Sequence, residues 1–79
     1  MERLVTSNYT LGIIAGGQLG KMLALAASRW DIKTVVLDSD PRCPASTVCT
    51  RLVRGDYRNA DDVLAFGRQV DMVNLEIEH

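Results

Sequence analysis

A chain of 79 residues with nine basic and ten acidic side chains, a net charge of −1 and 47% hydrophobic residues makes one small domain. Its charges are scattered, which excludes the basic patch that a nucleic acid or an acidic membrane surface needs. No apolar run approaches the roughly 18 residues of a membrane span and Met1-Glu2-Arg3-Leu4 lacks a secretory layout, so a cytoplasmic protein is expected.

Residues 1–10 are polar and unpatterned and read as a flexible lead-in, with the domain proper over 11–79. A first strand is predicted over Leu11–Ala15. It runs straight into Gly16-Gly17-Gln18-Leu19-Gly20, where a helix begins. Leu19, Met22, Leu23, Ala26, Ala27 and Trp30 recur at helical spacing and predict the face that packs on a sheet. Asp31 closes this helix, and Lys33–Asp38 is a second strand rich in β-branched residues. The two prolines of Asp38-Ser39-Asp40-Pro41-Arg42-Cys43-Pro44-Ala45-Ser46 predict a loop, followed by a helical turn over Ala45–Cys49. Leu52-Val53 is a brief third strand stopped by Gly55-Asp56. Asn59 is the expected N-cap of a second helix to about Arg68, with Asp61 and Asp62 at its positive end. Alternation over Val70–Glu78 predicts a fourth strand.

Strands alternating with helices predict an α/β fold, a Rossmann-like open and mostly parallel sheet. Ligands of such sheets bind beyond the carboxyl ends of the strands, where the strand order reverses. Three features fall on that edge: the Gly16-Gly17-Gln18 turn, Asp38, and Glu76 with Glu78. Unpaired N–H groups and the helix dipole make the turn favourable for an anion or a hydroxyl. The glycines at 16 and 17 are expected to supply unusual turn angles, and Gly20 to let helix and strand pack closely. One reading is a tight turn without a ligand. Another is a dinucleotide site of an NAD-dependent oxidoreductase, in which Asp38, about 20 residues after the glycines, accepts a ribose hydroxyl. Against it, Ala15 replaces the first glycine of G-x-G-x-x-G. A third reading is a non-catalytic, self-associating fragment with an unpaired sheet edge.

Glu76 and Glu78 are two apart, so a strand points both carboxylates to one face. They are a solvated strand end or a pair of hydroxyl acceptors; two carboxylates alone make a weak metal site. Cys43 and Cys49 lack C-x-x-C spacing and the lone His79 is terminal, so no metal site is expected.

Gly17-Gln18-Leu19-Gly20-Lys21-Met22, Val36-Leu37-Asp38, Cys43-Pro44-Ala45-Ser46 and Glu76-Ile77-Glu78-His79 together resemble the N-terminal, pre-ATP-grasp domain of the 5-(carboxyamino)imidazole ribonucleotide synthases. This family, also named the ATPase subunit of phosphoribosylaminoimidazole carboxylase, belongs to the ATP-grasp ligases of purine biosynthesis. The resemblance covers Leu11 to His79. It implies an enzyme that uses MgATP and bicarbonate, by way of carboxyphosphate, to carboxylate aminoimidazole ribonucleotide. It implies substrate contacts at Gly17, Gln18 and Leu19, ribose hydroxyls on Glu76, and adjacent positions at Gly16, Lys21, Asp38 and Glu78. No catalytic residue is assigned here. The family continues past the length of this chain, so ATP and magnesium are expected in domains absent from it. The sheet is expected to be incomplete at its C-terminus, the 79 residues inactive alone, and the full-length enzyme a homodimer. Ala15 stands where the family commonly carries glycine, a mild change if that position keeps ordinary backbone angles.

Overall fold

Four parallel strands form the sheet of the computed structural model, which describes residues 9–75. In chain order the elements are β1 (Thr10–Ile14), α1 (Gln18–Ser28), β2 (Lys33–Asp38), a 3₁₀ turn (Pro44–Thr47), β3 (Arg51–Arg54), α2 (Ala60–Gly67) and β4 (Met72–Leu75). The strands lie in the order β3-β2-β1-β4. From β1 the chain steps outward through β2 to β3, then returns to lay β4 on the other side of β1. The order therefore reverses between β1 and β4, and Ile14 pairs with both Leu37 and Leu75.

The central strands are buried on both faces, which is why β2 is a continuous apolar run rather than an alternating one. Side chains still alternate between two cores. Ile13 and Val36 join Ala24, Cys43 and Ala45 under α1 and the 3₁₀ turn. Ile14, Val35 and Leu37 face the other way and pack with Phe66 of α2. Edge strand β3 carries an exposed arginine at each end, a charge pattern that discourages edge-to-edge pairing.

Most boundaries agree with the sequence pattern. Asn59 caps α2 as expected: its side-chain oxygen accepts the N–H groups of Asp61 at 2.9 Å and Asp62 at 3.1 Å. Asp31 closes α1 in the left-handed region at φ 60°. There Asp31 N–H donates to Ser28 and Ile32 N–H to Ala27, the paired bonds that end many helices. Thr10 already belongs to β1, so the expected lead-in is shorter at its C-terminal end. The remainder of that lead-in, residues 1–8, lies outside the described residues, as does the expected continuation of β4 through Glu76–Glu78.

The face of α1 departs from expectation. Its buried residues are Gly20, Ala24 and Ala27, while Met22 is 62% exposed and Trp30 72%. Of the expected stripe only Leu23 and Ala27 turn toward the sheet. The reason is distance. A Cβ on Gly20 would sit 2.6 Å from the carbonyl oxygen of Ala15, so the helix lies too close to the end of β1 for a large residue. The small residues take the inner face and the larger apolar ones are displaced outward. Leu19, Met22 and Ala26, together with half-buried Leu23, line a shallow apolar cleft along the helix.

Candidate functional site

Beyond β1 the chain turns through Ala15, Gly16 and Gly17 into α1, and both backbone polar groups of Gly16, the central residue, have partners. Ala15 N–H donates to the Leu37 carbonyl at 2.8 Å, which extends the β1–β2 ladder by one residue. Gly16 N–H donates to Asp38 Oδ2 at 2.7 Å. Gly16 C=O accepts from Ala45 N–H at 2.9 Å, and Gly17 C=O accepts the first helical bond from Lys21 N–H at 2.9 Å.

The left-handed residue of the turn is Ala15, at φ 79°, and none of the described glycines has positive φ. This corrects the expectation that Gly16 and Gly17 supply the unusual angles, and with it the reading of Ala15 as a mild departure. Gly16 is needed for space instead. A Cβ there would meet Cys43 Sγ at 2.7 Å and a Val36 methyl at 2.9 Å. Left-handed alanine costs about 1–2 kcal/mol relative to ordinary backbone. Ala15→Gly is therefore expected to stabilise the chain by about 1 kcal/mol, raising Tm by about 4–8 °C in a thermal melt. An unchanged or lowered Tm would show that Ala15 is not strained.

Gly17 stands at the N-cap of α1. As a glycine it offers the helix no capping side chain, and the first turn holds no acidic residue. The positive end of the dipole thus carries no carboxylate within the helix's own first turn. Gln18 and Leu19 are exposed at that end, Lys21 is half-buried one turn in, and Gly16 and Gly20 are buried beneath them. The structure brings Gly16, Gly17, Gln18 and Leu19 together with Asp38 at one sheet edge. Leu75 pairs with Ile14, the residue before the turn begins. Glu76 is next in sequence, but Glu76 and Glu78 lie outside the described residues.

Asp38 is half-buried and each of its oxygens accepts a backbone N–H: Oδ2 from Gly16, and Oδ1 from Asp40 at 2.9 Å. Asp40 repeats the motif by accepting from Arg42 N–H at 2.9 Å. These two Asx turns carry the chain to Cys43, whose side chain packs against Gly16. Burial, and then the nearby Asp38 charge, push the Cys43 thiol above its ordinary pKa. It therefore stays protonated and unreactive near neutral pH. The seat that Cys43 and Ala45 form for Gly16 was missed by sequence reasoning. The only local signal was Pro44, which opens the 3₁₀ turn. Among the described residues, no three potential ligand side chains come together to hold a metal, and no helix is long and apolar enough to cross a membrane.

A parallel α/β sheet with a glycine turn at its switch point defines a Rossmann-like domain. Residues 8–79 match the family described as the ribonucleotide synthetase preATP-grasp domain, and the chain belongs to that family. It is 42% identical over 72 residues to a phosphoribosylaminoimidazole carboxylase of Candida glabrata, covering 89% of this chain and 12% of that protein. It is 37% identical over 70 residues to an N5-carboxyaminoimidazole ribonucleotide synthase of Brucella melitensis, covering 89% of this chain and 19% of that protein. The crystal structure of N5-carboxyaminoimidazole synthetase from Staphylococcus aureus complexed with ADP superposes with a TM-score of 0.84 at 35% identity. That match covers 91% of this chain and 19% of the other. The chain thus spans a fifth or less of the length of these relatives. Their names accord with the substrate-binding reading and not with the oxidoreductase or self-association alternatives.

Proposed function

We propose that this chain is the N-terminal, substrate-binding part of an ATP-dependent ligase that carboxylates aminoimidazole ribonucleotide with bicarbonate in purine biosynthesis. The observation that carries the reading is the N-terminus of α1, which begins at Gly17 at the switch point beside β4 and presents Gln18 and Leu19 there. Backbone donors and a helix dipole suit the oxygen-rich face of a ribonucleotide. Gln18 adds an amide that can both donate and accept. Glu76 accepts the ribose hydroxyls in this reading, and Lys21 and Glu78 stand next to these contacts. ATP and magnesium would be held elsewhere in a full-length enzyme. The described residues here do not assemble a ligand set for the metal, and no step through it is assigned to them.

Calorimetric titration with aminoimidazole ribonucleotide tests the reading. Glu76→Ala removes a charged acceptor of hydroxyl groups and is expected to weaken binding by about 1.5–3 kcal/mol, roughly 10–150-fold. Unchanged affinity would remove Glu76 from the site.

A further inference from the structure

We infer that Asp38 is a positioning residue for the ribonucleotide site, acting by holding Gly16, rather than a ligand-binding acid; this rests on the function proposed above. In a dinucleotide-binding sheet, the acid at the end of the second strand accepts a ribose hydroxyl. Here the same position is turned inward. Asp38 Oδ2 takes the Gly16 N–H at 2.7 Å and Oδ1 takes the Asp40 N–H at 2.9 Å.

Gly16 is gripped from three sides. Asp38 holds its N–H, Ala45 N–H holds its C=O at 2.9 Å, and Cys43 with Val36 leaves no room beside its Cα. The preceding residue, Ala15, sits in left-handed backbone that alanine does not adopt by preference. A strained residue persists only where its surroundings over-determine it. The charge-assisted bond from Gly16 to Asp38, stronger than a neutral one, supplies part of that constraint. The residue after Gly16 is the N-cap of α1, so the direction in which the helix presents Gln18 and Leu19 depends on where Gly16 is held. The Asp40 bond and the 3₁₀ turn tie the same carboxylate to the segment that seats Gly16 from the other side.

The test compares Asp38→Ala and Asp38→Asn by amide NMR of the ligand-free chain and by titration with aminoimidazole ribonucleotide. Asparagine keeps one carbonyl oxygen for Gly16 while losing the charge, and it guards against a variant that fails to fold. Asp38→Ala is expected to move the amide resonances of Gly16 through Lys21 and to weaken binding about tenfold. Asp38→Asn is expected to leave the Gly16 resonance near its original place and to restore most of the affinity. If both variants lose binding while those resonances stay put, Asp38 touches the ligand itself and the inference is overturned. If neither resonances nor affinity change, Asp38 positions nothing. Failure of the unsubstituted chain to bind the ribonucleotide would refute the proposed function instead. The resonance comparison would still decide whether Asp38 sets the turn.

Discussion

Phe66→Ala is expected to cost about 3–5 kcal/mol, enough to leave the domain largely unfolded at physiological temperature. Phe66 is the largest of the fully buried side chains, at 0% exposure. It is also the centre of the core on the α2 face, packed with Ile14, Val35 and Leu37 and flanked by Val53, Val63 and Val70. Removing the ring leaves a cavity that these neighbours cannot close. Three of them are fixed in central strands, and Gly12, directly opposite, has no side chain to advance into the gap. A Cβ on Gly12 would already lie 3.0 Å from the Phe66 ring, so strand and ring are in contact with nothing between them. A domain of this size has of order 4–12 kcal/mol to lose. Thermal unfolding followed by circular dichroism should show a Tm lowered by about 12–40 °C, or no cooperative transition. A fall of only a few degrees would mean that the α2 face contributes little to stability.

Gly20→Ala is expected to cost about 1–3 kcal/mol and to weaken ribonucleotide binding together with stability. Its Cβ would lie 2.6 Å from the carbonyl oxygen of Ala15. That atom belongs to backbone, and to backbone already held in the left-handed region, so it cannot step aside as the tip of a side chain could. Relief must come from lifting the first turn of α1, which carries Gln18 and Leu19. Gly67 makes the contrast, since nothing lies within 4 Å of a Cβ placed there. Gly67→Ala sits at the end of α2 and should be neutral or slightly stabilising. Equal melting temperatures for the two variants would show that α1 does not approach β1 as closely as the geometry requires.

The elements themselves were legible because their signals are local. Lys33–Asp38 is too rich in β-branched residues and too evenly apolar to be anything but an interior strand. Asn59 followed by Asp61 and Asp62 marks a helix start by its own hydrogen-bonding chemistry. The glycine turn was legible too, and so was the placing of β1 and β4 side by side. What misled was size. The stripe of Leu19, Met22 and Trp30 has helical period, yet it faces outward. Periodicity reports which residues share a face, and only the distance to the sheet decides which face turns inward. Likewise Asp38 occupies the sequence position of a ribose-binding acid, and no local pattern shows that Gly16 and Asp40 take both of its oxygens.

By itself the sequence determined the order of strands and helices, the α/β class, the turn at the end of β1 and, through four ordered motifs, the family. Each follows from contacts within a few residues or from residue types in a row. The tertiary structure alone decided that Gly20, Ala24 and Ala27 form the inner face of α1, that Ala15 rather than a glycine is left-handed, and that Asp38, Cys43 and Ala45 converge on Gly16. Those outcomes depend on how closely elements far apart in sequence approach one another. That separation is fixed by packing and hydrogen-bond geometry, not by the preference of any residue alone.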